Sequence, residues 1–127
     1  MMFKKPLLEK VLSGEKTQTR RDIKRRPGVQ VFSVGQVVGI RAGYTEYIGA
    51  IRIVGRRQEN LGEISEEDAK KEGCDGVEEF RSIWIRLFGN WDPDQVVWVY
   101  DFVLADMSDL TNKDSIVEPA ANLLKSQ

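Results

Sequence analysis

Histidine is missing altogether from this 127-residue chain, and Cys74 is its only cysteine. The first gap excludes any catalytic triad built on imidazole. Together they exclude an intrachain disulfide and a zinc site of the Cys/His type. An enzyme of this composition must move protons with Lys, Glu, Asp, Tyr or water. Long apolar runs are missing too. The opening Met1-Met2-Phe3-Lys4-Lys5-Pro6-Leu7-Leu8-Glu9-Lys10 has no signal-peptide core, and nothing approaches the roughly 18 apolar residues of a membrane span. The expectation is a cytoplasmic protein with no membrane partner.

What is present suits a single globule. At 41% hydrophobic and 31% charged residues the chain is neither disordered nor fibrous, and its length is enough for one buried core but not two. The net charge of −1 conceals a division. Residues 1–60 hold 13 Lys/Arg against 5 Asp/Glu, a surplus of +8, whereas residues 61–127 hold 6 against 15, a deficit of −9. The densest basic run sets Lys16, Arg20, Arg21, Lys24, Arg25 and Arg26 against Asp22 alone. Such a cluster can hold phosphates through charge and counterion release, or it can be a loop neutralised by the acidic half folding back.

Local patterns predict the elements. Leu7, Leu8, Val11 and Leu12 share one helical face, Pro6 suits a first turn and Gly14 a stop, giving a helix over 6–13. An extended stretch over 17–21 leads into a basic loop ending near Pro27-Gly28. Strands are predicted over 35–41 and 47–54, joined by a loop over 42–46. Ser65 followed by Glu66-Glu67-Asp68 reads as a helix start for 65–72. Val77, Phe80, Ile83, Trp84, Leu87 and Phe88 recur at steps of three and four, the buried stripe of a second helix ended by Gly89-Asn90. Trp91 to Asp94 is a turn. Val96 to Ala105, apolar on both faces except at Asp101, is predicted to be a central strand. Its neighbours' direction cannot be read from its own residues.

The string Gly14-Glu15-Lys16-Thr17-Gln18-Thr19-Arg20-Arg21 resembles the signature of the ASCH family, the PUA-like domain named for the activating signal cointegrator homology region. The family pattern is G-x-K-x-x-E-x-R, with a branch carrying Thr in place of the Glu, and Gly14, Lys16, Thr19 and Arg21 fill the places of that branch. The likeness continues through Val34-Gly35-Gln36-Val37-Val38, Ala69-Lys70-Lys71-Glu72-Gly73 and the closing strand. It thus assigns 1–105 to one domain and leaves 106–127 as a tail, either a short helix from Pro119 or frayed. It implies an α+β fold, a small PUA-like β-barrel with helices packed around its openings and a cleft near the first helix. It also implies RNA binding. Some small bacterial members of the Thr branch deacetylate N4-acetylcytidine with a Lys, a Thr and a Glu. By motif position these are Lys16, Thr19 and Glu72, with Glu66, Glu67, Glu78 and Glu79 as competitors for the third place.

The chemistry stands without the family. Amide hydrolysis needs a nucleophile, a base and donors for the developing oxyanion. Thr19 can attack, Lys16 can take its proton, Arg21 or backbone N–H groups can hold the oxyanion, and Glu72 can return a proton to the leaving amine. The obstacle is Lys16: a free ammonium of pKa about 10.4 is neutral only about once in 2,500 at pH 7, and lowering it to about 8 takes roughly 3.3 kcal/mol. Burial, Arg20 and Arg21 push that way and Glu72 pushes back, so either Glu72 is protonated or the pair shares one proton. Lys16 and Thr19 also converge only if 16–18 turn rather than pleat, since residues three apart on a strand face oppositely.

Three classes remain open: a nucleic-acid or nucleoside binder, the specific amidohydrolase, and a protein-interaction adaptor. The ligand expected is single-stranded RNA or a modified cytidine, held by Arg20, Arg21, Lys24, Arg25, Arg26, Arg41, Tyr44 and Tyr47. The two tyrosines can stack on bases beside Arg41 and Arg52, or cap one end of a barrel. Trp91 can line a mouth or plug it. Asp92, Asp94 and Asp101 read as turn and strand residues rather than a metal site, Cys74 as inert, and no cofactor is expected. Oligomeric state is not legible.

Overall fold

A computed structural model describes residues 1–23 and 31–110. Lys24, Arg25, Arg26 and the helix expected from Pro119 lie outside the described residues. Helix α1 (Lys5–Ser13) has Pro6 in its first turn and buries Leu8 and Val11. Gly14 ends it at φ +84°, a left-handed conformation that a side chain disfavours, and its N–H donates to Val11 O at 3.1 Å. That sharp exit feeds β1 (Gln18–Asp22).

Strands β2 (Val37–Ile40), β3 (Gly49–Asn60) and β4 (Val96–Ala105) complete one antiparallel sheet of order β1-β4-β3-β2. The apolar β4 is interior, as its sequence demanded. Strand β3 outruns the expected end at Val54 because Gly55–Asn60, though polar, pair with β4 as far as Asn60 opposite Val96. Between β3 and β4 lie a 3-10 turn (Leu61–Glu63), α2 (Glu66–Lys71) and α3 (Val77–Phe88). Among the described residues no helix is long and apolar enough to cross a membrane.

The expected barrel is not closed. Met1–Phe3 lie along the end of β2, where Phe3 N–H donates to Arg41 O and Arg41 N–H to Met1 O, both at 3.0 Å. The Arg21 side chain links them to β1, donating to Met2 O at 3.0 Å and lying over the Phe3 ring. A closing ladder needs a strand along the outer edge of β1, and that edge faces a cavity instead.

Alternation along β4 divides the core in two. Tyr100 and Phe102 pack with Phe3, Leu8, Val11, Ile51 and Ile53, while Val97 and Val99 pack with Ala69, Phe80 and Trp84 beneath α2 and α3. A bulge decides which side chains of β3 join each half. Ile53 stands opposite Phe102 but Gly55 opposite Asp101, so Val54 is the extra residue. The insertion turns the later odd-numbered residues, Arg57 and Glu59, onto the α2–α3 side.

Candidate active site

The outer edge of β1 lines a cavity of about 720 Å³. Thr19 and Arg21, opposite Tyr100 and Trp98, are on the α1 side, and Gln18 and Arg20, opposite Asp101 and Val99, are on the α2–α3 side. Accordingly the cavity wraps round the strand, from Phe3, Leu7 and Thr19 to Glu72, Phe80 and Trp84. Lys16 lines it as well, from the irregular stretch before the strand. The turn expected over 16–18 is shorter than that: Gln18 already belongs to β1 and Thr17 O accepts from Phe102 N–H, yet Lys16, just before the ladder, lines the same hollow as Thr19.

Glu72 arrives by a second turn. After α2 the N–H of Gly73 donates to Lys70 O at 3.0 Å and that of Cys74 to Ala69 O at 2.9 Å, with Gly73 at φ +92°, a Schellman ending. The turn returns Glu72 over the start of β1, where Lys16 Nζ donates to Glu72 Oε1 at 2.6 Å, Glu72 O at 3.0 Å and Gln18 O at 2.9 Å. The competing glutamates have other work: Glu66 and Glu79 accept the N–H groups of Val77 and Asp75, and Glu67 and Glu78 are exposed. Lys16, Thr19 and Glu72 are 3%, 4% and 4% exposed, so all three are almost withdrawn from water.

Arg20 was expected to meet a ligand with its guanidinium. Its side chain is instead fully buried behind the cavity wall, because four acidic or amide groups enclose it. It donates to Glu72 Oε2 at 2.9 Å, to Glu59 Oε2 at 2.7 and 3.2 Å, to Asp68 Oδ2 at 3.2 Å and to Gln18 Oε1. Arg57 joins from β3, bonding Asp68 at 2.7 Å, and Gln18 bonds Asp101 at 2.8 Å. Here the acidic half of the chain does fold back on the basic half. Sequence reasoning missed this network; the alternation of Gln18 and Arg20 hinted at it, but the bulge that delivers Arg57 and Glu59 had no signature.

Burial sets the electrostatics. Desolvation lowers the pKa of Lys16, against the raising influence of Glu72's charge and hydrogen bond, with Arg21 reinforcing the decrease. Glu72 cannot hold the ammonium as firmly as a lone carboxylate would, because its other oxygen is given to Arg20. Desolvation would raise Asp68, but Arg20 and Arg57 outweigh it and hold that carboxyl below its ordinary value. Cys74, at the cavity wall, is pushed up to about 11 by burial and then by Glu72's negative charge, which leaves it a thiol.

The remaining candidates separate. Arg21 Nε donates to Thr19 Oγ1 at 3.3 Å while its guanidinium lies 4.9 Å from the centre of the Phe3 ring. Tyr47 packs its ring on Gly39, where a Cβ would come within 2.7 Å, so it covers part of the face of β2. Tyr44 is 87% exposed. Arg41 lies 5.0 Å from the Tyr47 ring and 5.8 Å from that of Tyr44. Trp91 meets Phe80 edge-on at 6.1 Å and packs against the α2–α3 half of the core, so it neither lines nor plugs the cavity mouth. Asp92 caps its own turn by accepting Asp94 N–H at 3.0 Å, and Asp101 belongs to the network, so the three aspartates do not gather. Among the described residues no acidic or cysteine cluster could hold a metal ion.

No family model and no curated protein matches this sequence. Solved structures do match its fold. The crystal structure of an ASCH domain from Lactobacillus crispatus superposes with a TM-score of 0.67 at 16% identity, covering 78% of this chain and 70% of that one. A protein from Enterococcus faecalis gives 0.61 at 22% identity over 84% and 74%. A point mutant of an ASCH protein from Zymomonas mobilis gives 0.55 at 12% identity over 99% and 94%. At such identities the likeness is one of fold: the chain has the α+β fold of ASCH domain proteins.

Proposed function

We propose that this protein binds a modified cytidine in the cavity beside β1 and hydrolyses its N4-acyl amide, in the manner implied by the Thr branch of the ASCH pattern. One observation carries the reading. An amine, a hydroxyl and a carboxylate, from positions 16, 19 and 72, are all buried and all line one hollow of about 720 Å³. That volume lies within the range of about 300–1,000 Å³ usual for small-ligand sites. The aromatic side chains of α3 supply an apolar wall for a planar base.

Each group has work to do. Thr19 Oγ1 accepts from Arg21, which leaves its own hydrogen to be given away. Lys16, when charged, spends its three hydrogens on Gln18 O and on two oxygens of Glu72. Loss of one proton frees a lone pair, and desolvation makes that loss easier. Neutral Lys16 then takes the Thr19 proton as Oγ1 attacks the acyl carbon, and it returns that proton to the departing N4 amine. Water hydrolyses the acyl-threonine by the same relay. Glu72, held between Lys16 and Arg20, positions the amine rather than donating a proton itself.

The test is release of cytidine from N4-acetylcytidine, followed by chromatography. Lys16→Met and Thr19→Val are each expected to lower kcat/KM by about 10³-fold or more. Turnover that survives both substitutions removes the assignment. A second reading, single-stranded RNA binding, is favoured by Tyr44, 87% exposed beside Arg41 and next to the cavity-lining Gly43. It expects an affinity that falls with salt, and a slope that drops by about 0.7 for each phosphate left without its cation when Arg25 or Arg26 is replaced. Binding indifferent to salt refutes it.

A further inference from the structure

The phase of the β1–β4 ladder sets which backbone groups of β1 face the cavity. Phe102 N–H donates to Thr17 O at 2.9 Å at one end, and Ile23 N–H to Val96 O at 3.5 Å at the other. With Thr19 opposite Tyr100 and Arg21 opposite Trp98, residues 17, 19, 21 and 23 are therefore those that exchange bonds with β4. The amides and carbonyls of Gln18, Arg20 and Asp22 point the other way, off the sheet edge. Lys16 Nζ on Gln18 O is the direct sign of this direction. Arg20 adds a second sign. The residue is 4% exposed although its side chain is 0% exposed, so the part of Arg20 that meets the cavity is its main chain.

We infer that the backbone N–H of Arg20 is the oxyanion donor of this site, an inference that rests on the hydrolase reading above. The N–H immediately follows the nucleophile, Thr19, and it stands at the edge where the cavity passes from the Thr19 face to the Glu72 face. As the Thr19 Oγ1–carbon bond forms, the carbonyl π pair moves onto oxygen and the hydroxyl proton moves to Lys16. The negative oxygen is then met by a donor whose orientation the ladder has already set, so nothing need reorganise. When the adduct collapses, the pair returns to the carbonyl, the C–N bond breaks and the amine departs with the proton from Lys16. Side chains serve this purpose less well. Arg21 is directed to Thr19 Oγ1 and Met2 O, and the guanidinium of Arg20 is sealed behind the wall. Burying that guanidinium against Glu72, Glu59 and Asp68 also pins residue 20, so one residue serves the wall with its side chain and the reaction with its backbone.

The experiment replaces Arg20 by its α-hydroxy-acid counterpart. An ester oxygen then stands where the N–H was, while the guanidinium keeps its partners. The full chain can be assembled by ligation at Gly73–Cys74 and compared with a native-sequence chain made the same way, using N4-acetylcytidine. A fall in kcat of about 10²–10³-fold, with KM little changed, is expected. An ester chain that keeps the native kcat overturns the inference and leaves the hydrolase standing. A native-sequence chain that releases no cytidine overturns both. Should the ester chain fail to fold, the amide proton of Arg20 can be followed by NMR in the native chain on adding a phosphonamidate analogue of the N4-acyl group. A downfield shift larger than that of any other β1 amide supports the assignment; an unmoved amide ends it.

Discussion

Breaking the Lys16–Glu72 pair from one side should cost far more than removing both partners. The two atoms stand 2.6 Å apart in the interior, where the gross attraction at an effective dielectric of about 20 is roughly 6 kcal/mol. Most of that offsets the several kcal/mol each ion loses on leaving water, so the intact pair adds little net stability. Glu72→Gln strands the ammonium with backbone carbonyls and an amide, and turns an amide donor toward Arg20; the expected loss is about 3–5 kcal/mol. Lys16→Met in the same chain removes the stranded charge, and Arg20 still holds Glu59 and Asp68. The double variant should therefore fall short of the summed single losses by at least about 2 kcal/mol. Urea unfolding at pH 7, read as midpoint shifts with the m value unchanged, measures it; losses that simply add refute the reasoning. A pH arm checks the sign. Without Glu72's charge the folded-state pKa of Lys16 drops further below its unfolded value of about 10.4. In that window the unfolded chain binds more protons, so stability climbs with pH. The deficit of Glu72→Gln should shrink between pH 7 and pH 9, and a deficit that grows there contradicts the assignment.

Three further outcomes are expected. Cys74, buried and pushed up to about 11, should resist iodoacetamide at pH 8 in the folded chain and react on unfolding, as mass spectrometry would report; rapid alkylation of the native chain would refute this. Arg57→Gln removes one of the cations that hold Asp68 low, so stability supplied by that carboxylate should be lost at a higher pH on acidification, seen as an acid-unfolding midpoint moved upward by a fraction of a unit. Gly62→Ala would bring a Cβ within 2.5 Å of Pro93 Cβ and 3.0 Å of its backbone, with an expected cost of about 1–3 kcal/mol in a thermal melt.

Much of the fold was legible in local pattern. Helical spacing located α1 and α3, the glycines at 14 and 89 ended them, and the doubly apolar run from Val96 marked the interior strand. These are properties of a few neighbouring residues, which is why a single sequence carries them. The candidate triad was legible only as a motif: Lys16 and Thr19 lie within four residues of each other, and Glu72 was one of five glutamates until the Schellman turn selected it.

Other features depended on distant partners. Whether Gly55–Asn60 continued as strand was settled by the length of β4 opposite it, not by their own propensities. The direction of Arg57 and Glu59 follows from one inserted residue, Val54, whose effect exists only once β3 is registered against β4. Arg20 reads in the sequence as one more surface cation, and it becomes a buried clamp because three acids from two other elements surround it. The sequence by itself determined the helices, the central strand, the lack of imidazole chemistry and the amine–hydroxyl spacing at 16 and 19, all matters of residue identity and short-range period. Tertiary structure alone decided which acid pairs with Lys16, which edge stays open and which backbone groups look into the cavity, because each depends on strand register and on charges brought together from far along the chain.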